Sequence, residues 1–362
     1  MRIAFFGSSL VSAYWNGAAT YYRGLLRALA GRGHEIAFFE PDAFERQQHR
    51  DMPDPPWAQV VVYPATVEEA ERALEQARGA DLIVKASGVG VFDDLLEAGV
   101  LALARPGSLV VFWDVDAPAT LDSMAGNPAD PLRALIPRYD LVLTYGGGAP
   151  VREAYLALGA RACVPIYNAL DPSTHFPVQQ EPRFAADLTF VGNRLPDREA
   201  RVEAFFLEPA AALPHRRFLL GGSGWEDKQV PANVERLGHV FTGDHNAINC
   251  SARAVLNVNR SSMARYGFSP PTRIFEAAGA GACIIGDDWA GLAQFLEPDR
   301  EVLVARDGAE VAALLDGLGP ERARAVGAAA RRRVLDQHTY ERRAAEVDEV
   351  LAGARRQAGR AA

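Results

Sequence analysis

Residues 254–286 read AVLNVNRSSMARYGFSPPTRIFEAAGAGACIIG and combine a strand, a helix and a second strand. The runs Ala254–Val258 and Ala282–Gly286 are short and apolar, as buried strands are. Between them, Ser269 followed by two prolines predicts a helix that begins at Pro270 or Pro271 with Ser269 as its cap. A strand, a helix and another strand in this order predict parallel neighbours in one sheet, covered by the helix.

The same alternation extends outward through both halves of the chain, and the segment Asp171–Ala186, with three prolines, separates them. It predicts an α/β protein of two Rossmann-like domains with ligands in the cleft between them. We predict an amino-terminal domain at 1–170, a linker at 171–186, a carboxyl-terminal domain at 187–338, and a terminal helix at 339–362 that packs back on the amino-terminal domain. The predicted strands are Arg2–Phe6, Glu35–Phe39, Gln59–Tyr63, Asp81–Lys85, Ser108–Trp113, Asp140–Thr144, Ala162–Ile166, Asp187–Val191, Arg217–Gly221, His239–Phe241, Ala254–Val258, Ala282–Gly286 and Glu301–Val304.

The composition is that of a folded, acidic protein. The 362 residues are 49% hydrophobic, which at roughly 150 residues per domain suits about two domains. The 38 Lys and Arg residues and the 46 Asp and Glu residues give a net charge of −8. A negative net charge disfavours binding to the phosphate backbone of a nucleic acid. Three scattered cysteines, Cys163, Cys250 and Cys283, predict reduced thiols and a cytoplasmic location. We predict neither a signal peptide nor a membrane span, since no apolar run reaches about 18 residues.

Two strand-end loops in the first half carry candidate acceptor contacts. Ser8, Trp15 and Asn16 follow the first strand, and Tyr145 follows a later strand just before three glycines. Open α/β sheets bind ligands at the carboxyl ends of their strands, although packing and helix capping also explain these residues. The spacing G-x-G-x-x-G is missing from the first loop, which argues against an NAD-dependent oxidoreductase.

Asp114 and Asp116 end the apolar run VVFWDVD, and such a pair suits three chemistries. In a metal-using sugar transferase the two acids hold a divalent cation and the donor diphosphate. In a magnesium-dependent phosphohydrolase of the haloacid dehalogenase type Asp114 is the nucleophile and Asp116 the acid/base, with Thr144 and the acids at 287–288 completing the site. In the third, a cleft carboxylate deprotonates an acceptor hydroxyl. Solvated acids in a turn are the fourth explanation.

The phosphohydrolase ranks second among the enzymes. Its first aspartate normally follows the first strand, whereas Asp114 lies behind four earlier predicted strands.

Glycine turns and a helix start predict a nucleotide-sugar site in the second half. The turns after two predicted strands free backbone amides for a diphosphate, and the start of the helix after Ser269 suits a phosphate. Glu276, further along that helix, can accept hydrogen bonds from two ribose hydroxyls, although an exposed helical glutamate is the ordinary alternative. The predicted donor contacts are Gly192, Asn193, Arg194, Gly222, Gly224, Trp225, Asn257, Arg260, Ser269, Thr272, Arg273 and Glu276.

The stretch SPPTRIFEAAGAGACIIGD, with DWAGLAQFLEPDREVLVA behind it and HTYERR at 338–343, resembles the CgeB-type (spore maturation protein-like) glycosyltransferases. The resemblance is strong over 187–351, and WNGAATYY, WDVDAP and NALDP carry it at lower specificity in the first half. It implies a two-domain GT-B fold that binds a nucleotide sugar through the carboxyl-terminal domain and an acceptor through the amino-terminal one. It also implies no tightly bound metal and no cofactor beyond the sugar nucleotide, because helix amides and a basic side chain neutralise the leaving diphosphate.

By that resemblance Glu276 corresponds to the ribose-binding glutamate, and Thr272 and Arg273 correspond to diphosphate contacts. Related retaining transferases carry a second glutamate eight residues earlier, where this chain has Phe268. In this interpretation the acids at 114 and 116 are cleft carboxylates, and Asp116 is the predicted acceptor base.

We therefore predict a metal-independent glycosyltransferase that moves a sugar from a nucleoside diphosphate to a hydroxyl, or an amine, of a small-molecule, glycan or protein acceptor. Two alternatives remain at this point: the magnesium-dependent phosphohydrolase, and a non-catalytic nucleotide-sugar-binding protein suggested by the missing acid at Phe268.

Overall fold

The computed structural model describes the backbone of residues 1–361 and the side chains of residues 1–357. Within them the chain divides into two compact units, one of Met1–Asn168 with the residues from Tyr340 on, and one of Ala169–Thr339. Ala362, the last residue of the segment predicted at 339–362, lies outside the described residues. Among the described residues, no helix combines the length and the apolar content that a bilayer crossing requires.

The first unit is built on a sheet of seven parallel strands in the order β3-β2-β1-β4-β5-β6-β7. The strands are β1 (Arg2–Phe6), β2 (Glu35–Asp42), β3 (Ala58–Pro64), β4 (Leu82–Ala86), β5 (Leu109–Asp114), β6 (Leu141–Thr144) and β7 (Cys163–Pro165). The helices are α1 (Ala19–Gly31), α2 (Val67–Gln76), α3 (Asp93–Ala102), α4 (Ala117–Gly126), α5 (Pro131–Leu135), α6 (Gly148–Ala157) and α14 (Tyr340–Ala361). The loops after β1, β4, β5 and β6 share one edge of this sheet because all four strands run in the same direction.

The central strands are continuously apolar because helices cover both faces of a parallel sheet. Every residue of β4 and β5 is buried, and the one lysine among them, Lys85, has no exposed surface. Its ammonium group lies 2.7 Å from Asp93 and 3.7 Å from Glu97, both on α3. The two carboxylates offset the loss of hydration of that buried charge.

Helix α14 packs against α1 within the first unit. Gly24 of α1 makes this approach possible, because a Cβ atom there would lie 2.1 Å from the ring of Tyr340. The Tyr340 ring also meets that of Tyr21 edge-on, with centroids 6.1 Å apart. The sequence that follows the second unit therefore completes the core of the first.

We expect Gly24→Ala to lower the free energy of unfolding by about 1–3 kcal/mol, the usual effect of forcing an extra methyl group into a packed core. Gly31→Ala is the matched control in the same helix, since nothing lies within 4 Å of its Cβ position. That change should leave stability unchanged or raise it by up to about 1 kcal/mol, because alanine favours helix. Urea denaturation of both variants measures the difference, and equal stabilities would contradict the packing.

The second unit has a six-stranded parallel sheet in the order β10-β9-β8-β11-β12-β13. Its strands are β8 (Ala186–Val191), β9 (Phe218–Gly221), β10 (Val234–Gly238), β11 (Ala252–Asn257), β12 (Ile284–Asp287) and β13 (Leu303–Ala305). Its α-helices are α7 (Glu199–Val202), α8 (Glu208–Ala212), α9 (His245–Ser251), α10 (Ser261–Tyr266), α11 (Thr272–Gly279), α12 (Gly308–Gly317) and α13 (Pro320–Gln337). Residues of β8, β9, β11 and β12 pack with α7, α8 and α12 in one core.

Two local predictions in the second unit are wrong. The strand expected at His239–Phe241 is β10, which ends at Gly238, and Phe241 is 68% exposed. Strand β10 lies at the sheet edge and exposes Glu235 and Arg236, so its sequence lacks the apolar run of a central strand. Ser269 does not cap α11: the cap residue is Pro271, and the Ser269 hydroxyl donates to the carbonyl oxygen of Gly267 at 3.0 Å.

The segment expected as a linker, 171–186, is part of the second unit. Its backbone is hydrogen-bonded to α9: Val178 N–H donates to Cys250 Sγ at 3.4 Å, and Glu181 N–H donates to Ser251 Oγ at 2.8 Å. These bonds explain why a proline-rich stretch without periodicity holds one conformation.

Candidate functional site

In the second unit the strand order reverses between β8 and β11. The chain proceeds from β8 towards β9 and β10 on one side and from β11 towards β12 and β13 on the other. The crevice outside the carboxyl ends of two such strands is where open α/β sheets bind ligands. Gly192 follows β8 and Asn257 ends β11, so two of the predicted donor contacts lie beside this point.

Two glycine turns beside this point are joined to each other. Gly222, with φ of +116°, approaches so closely that a Cβ atom would lie 2.2 Å from the carbonyl oxygen of Gly192. The indole N–H of Trp225 donates to that same oxygen at 2.7 Å, and Ser223 N–H donates to Oδ1 of Asn193 at 3.0 Å. Trp225 is only 2% exposed. Trp225 therefore stabilises the two turns and does not offer an exposed ring for stacking against a ligand.

Two of the predicted donor arginines are engaged in ion pairs. Arg194 lies 2.7 Å from Glu199 and 2.8 Å from Asp227, and both acids raise the pKa of its guanidinium group. Arg260 lies 2.7 Å from Asp197. Because their charges are already neutralised, these arginines contribute less to anion binding than their number suggests.

Arg273 differs from those two arginines. It is half-buried on the first turn of α11, and its Nη1 lies 3.1 Å from the Cβ position of Gly192. Among the described residues it makes no hydrogen bond and no ion pair. Burial lowers the pKa of Arg273, and the Glu276 carboxylate opposes that shift. Desolvated guanidinium groups beside glycine turns and helix amino termini are typical of phosphate-binding sites.

Glu276 lies one turn beyond Arg273 and is 8% exposed. No side chain or backbone group of the described residues donates a hydrogen bond to its carboxylate. Nε2 of His175 lies 4.0 Å from its Oε1. A buried carboxylate without donors is unfavourable unless a ligand supplies them.

Two amides near the end of β11 are also unsatisfied within the described residues. Asn257 and Asn259 are 3% and 1% exposed, and Nδ2 of the first and Oδ1 of the second have no hydrogen-bond partner. Asn259 was not among the predicted contacts. Its Nδ2 lies 3.5 Å from the carbonyl oxygen of Ser269, in the loop that leads to α11.

Sequence reasoning also missed two histidines. His175, His245 and Glu276 bring one nitrogen or oxygen each within 4.8 Å of one another. Burial lowers the pKa of His245, and the Glu276 carboxylate opposes the shift. The residues come from the stretch before β8, from α9 and from α11, and no sequence spacing connects them.

In the first unit Asp114 is inside the protein. It has no exposed surface, and Oδ1 accepts hydrogen bonds from the hydroxyls of Ser87 at 2.7 Å and Thr120 at 2.9 Å. Oδ2 accepts from the hydroxyl of Tyr155. Burial raises the pKa of Asp114, and these hydrogen bonds oppose the shift. With both oxygens engaged, Asp114 has the surroundings of a positioning residue and not of a nucleophile.

Asp116 is the acid that Asp114 positions. Its N–H donates to Oδ1 of Asp114 at 3.0 Å, and its own side chain is half-buried just before α4. Asp116 caps α4 without a side-chain hydrogen bond to the helix. Asp116 lies just after β5 at the carboxyl edge of the sheet, and its Oδ1 is buried.

The predicted acceptor residues have different surroundings. The Ser8 hydroxyl donates to Oδ1 of Asn16 at 2.9 Å, and Asn16 Nδ2 donates to the carbonyl oxygens of Ser9 and Ser12. The hydrogen bonds of Ser8 and Asn16 stabilise the conformation of the loop after β1. Trp15 is 56% exposed, with φ of +47°.

Tyr145, half-buried, packs its ring 5.8 Å from that of Tyr21. Trp15 thus presents the larger open aromatic surface of the two.

The acids that would complete a phosphohydrolase belong to another unit. Asp287 lies in the second unit, 1% exposed and 2.6 Å from Arg201, and Asp114 lies in the first. Asp114 lies inside the protein, and Asp287 is paired with Arg201. Neither acid is therefore placed to act as the nucleophile of a phosphohydrolase.

Comparison with known proteins supports a transferase. Residues 198–349 match the model of a family described as glycosyl transferase-like. No curated protein matches the chain.

Three solved structures share the fold along nearly the whole chain. HepE from Anabaena in complex with UDP and glucose has 13% identity and a TM-score of 0.69, covering 98% of this chain and 100% of its own. Sucrose-phosphate synthase from Thermosynechococcus elongatus has 17% identity and a TM-score of 0.70, covering 100% of both chains. An alpha-glucosyltransferase in complex with UDP and a 13-mer DNA containing a HMU base has 12% identity and a TM-score of 0.71, covering 97% of this chain and 99% of its own.

At these identities the likeness shows the fold alone, and it confirms the predicted pair of Rossmann-like domains. The family model matches the part of the chain that contains α11. The chain therefore has the GT-B fold, and its residues 198–349 match the glycosyl transferase-like family.

Proposed function

We propose that the protein transfers a sugar from a nucleoside diphosphate sugar held by the second unit to an acceptor hydroxyl held by the first. The observation that carries the donor assignment is the pair Arg273 and Glu276. One is a desolvated cation and the other a buried carboxylate, they lie three residues apart on α11, and neither has a hydrogen-bond partner among the described residues. A nucleoside diphosphate supplies the complement of both, an anion for the guanidinium group and a ribose diol for the carboxylate.

The leaving diphosphate is stabilised by the protein's own groups in this proposal. The backbone N–H groups at the start of α11 and the Arg273 guanidinium group face the position where charge develops. A metal ion is unnecessary for that task, so we propose turnover without metal or other cofactor. HepE, one of the structures with the same fold, was solved with UDP and glucose.

The acceptor side of the proposal rests on the first unit. Asp116 removes the proton from the acceptor hydroxyl, and Asp114 holds it in place through the backbone N–H of Asp116. Trp15 offers an exposed ring on which a sugar or an aromatic acceptor can stack. One neighbour in fold was solved with DNA, but the net charge of −8 favours a small-molecule, glycan or protein acceptor here.

Two finer assignments belong to the proposal. The run from Ser269 to Asp287 supports placing the chain with the CgeB-type glycosyltransferases within its family. A cytoplasmic location is supported by three cysteines without disulfides, of which Cys163 and Cys283 are buried. Burial raises the pKa of both thiols to about 12, which keeps them protonated and unreactive.

Calorimetric titration with UDP, GDP, dTDP and CDP, with chelator present, tests the donor site. We expect one of these to bind, and we expect Arg273→Gln to weaken its binding by about 10- to 150-fold. The loss of a hydrogen bond to a charged group costs about 1.5–3 kcal/mol, which corresponds to this range of affinities. The loss of affinity should be large for the nucleoside diphosphate and small for the nucleoside, which lacks the phosphates.

Arg306→Gln is the matched control, because Arg306 is an exposed arginine in the same unit that pairs with Glu310. Its affinity should equal that of the unchanged protein. Equal affinities of Arg273→Gln and Arg306→Gln would remove Arg273 from the donor site. Binding that requires magnesium would instead favour a metal-using transferase.

A further inference from the structure

His175, His245 and Glu276 form a cluster that the proposed transfer reaction uses only in part. His175 is 4% exposed and Glu276 is 8% exposed. One imidazole nitrogen from each ring and one carboxylate oxygen lie within 4.8 Å of one another. The two rings are tilted by 33° with centroids 6.2 Å apart, so they converge without stacking face to face.

The hydrogen bonds around His175 set its tautomer. The Thr174 hydroxyl donates to the carbonyl oxygen of Asp171 at 3.2 Å, and the Thr174 oxygen lies 2.9 Å from Nδ1 of His175. Because the Thr174 hydroxyl is placed to donate to Asp171, we assign the ring proton to Nδ1, from which it is donated to Thr174. Nε2 is therefore left with a lone pair.

That lone pair faces another electron-rich atom. Nε2 of His175 lies 4.0 Å from Oε1 of Glu276, and no proton lies between them in this tautomer. A bound cation removes the repulsion between the two atoms. The hydrogen bond from Nδ1 to a fixed oxygen is the kind of support that orients a metal-ligating histidine.

We propose that His175, His245 and Glu276 bind a divalent transition-metal ion such as Zn²⁺, Co²⁺ or Ni²⁺. Two imidazoles and a carboxylate are ligands that these ions favour over Mg²⁺, and three protein ligands leave a coordination position open. Bonds of about 2.0–2.1 Å require ligand atoms roughly 3.4 Å apart, so the side chains move by about 1 Å to close on the ion.

The site has a regulatory consequence that rests on the proposed function. Glu276 cannot hold the metal and accept hydrogen bonds from the ribose with the same oxygens. Metal and nucleotide therefore compete, and the ion acts as a reversible inhibitor of a transferase that needs no metal for turnover. Chelator restores nucleotide binding and is otherwise without effect.

Cobalt titration of the nucleotide-free protein tests the site directly, since Co²⁺ held by protein ligands absorbs visible light. We expect His175→Ala and His245→Ala to abolish the absorption band and His215→Ala, an exposed histidine in the same unit, to leave it intact. Thr174→Val removes only the group that orients His175, and we expect it to weaken Co²⁺ binding by about 10- to 100-fold. Equal Co²⁺ affinity in all four variants would overturn the proposal.

A second titration separates this inference from the donor assignment. Nucleoside diphosphate is titrated with and without Zn²⁺, and we expect the apparent Kd to rise in proportion to the metal concentration. If Co²⁺ binds through the histidines and Zn²⁺ leaves nucleotide affinity unchanged, the metal site stands and the competition through Glu276 is wrong. If nucleotide binds and no Co²⁺ band appears, the proposed function stands and the metal site is wrong.

Discussion

Replacing Asp116 by asparagine should lower turnover by about 10²- to 10⁴-fold, the usual contribution of a general base, and leave donor affinity unchanged. Asparagine keeps the size of the side chain and removes its ability to take a proton. The backbone N–H of residue 116 still donates to Asp114, so the loop keeps its support. Release of nucleoside diphosphate in the presence of acceptor measures turnover, and calorimetry measures donor binding.

Asp94→Asn is the control for that experiment, because Asp94 is an exposed acid on α3 in the same unit. It should have the turnover of the unchanged protein. If Asp116→Asn turned over as fast as the control, another group would have to accept the proton. A loss of donor affinity in Asp116→Asn would mean that the variant acts through binding and not through proton transfer.

Replacing Glu276 by alanine should weaken nucleoside diphosphate binding by about 10²-fold or more. Two hydrogen bonds from ribose hydroxyls to a carboxylate are lost, each contributing about 1.5–3 kcal/mol. The carboxylate has no donor among the described residues, so its removal breaks no bond that stabilises the fold. We expect the free energy of unfolding to stay within about 0.5 kcal/mol or to rise, since a buried unpaired carboxylate is destabilising.

The 2′-deoxy nucleotide provides the control for this experiment. In the unchanged protein the 2′-deoxy nucleoside diphosphate should bind more weakly than the ribonucleotide, and in Glu276→Ala the two should bind equally. This cycle isolates the contact between Glu276 and the ribose from any general damage to the site. A deoxy effect that persists in the variant would assign the ribose hydroxyls to other residues.

The fold could be predicted from the sequence because parallel sheets bury their strands on both faces. Apolar runs such as β4 and β5 stand out for that reason. Strand β10 was missed because an edge strand exposes charged side chains, and the neighbouring run His239–Phe241 has the more strand-like composition. The Ser269 cap failed because two prolines follow the serine, and its hydroxyl turns back to Gly267 instead.

The sequence predicts the candidate site only where its residues lie on one helix or strand. Arg273 and Glu276 share α11, so their proximity follows from helical spacing, and their roles stay predictions until they are tested. Whether an arginine is already neutralised depends on tertiary structure, as the pairing of Arg260 with Asp197 shows. The position of Asp114 inside the sheet and the approach of His175 to Glu276 likewise depend on groups far away in the chain.

The packing of α14 against α1 affects the order in which the two units can complete their folding during synthesis. The second unit is continuous, Ala169–Thr339, so all of it has been synthesised before the ribosome reaches Tyr340. The first unit needs the Tyr340 ring beside Gly24, and that ring is added only after the whole second unit. Domains generally fold as units during synthesis, from the amino terminus on. Here the unit begun first is finished last, and a nascent chain stopped before Tyr340 holds a complete second unit and an incomplete first one.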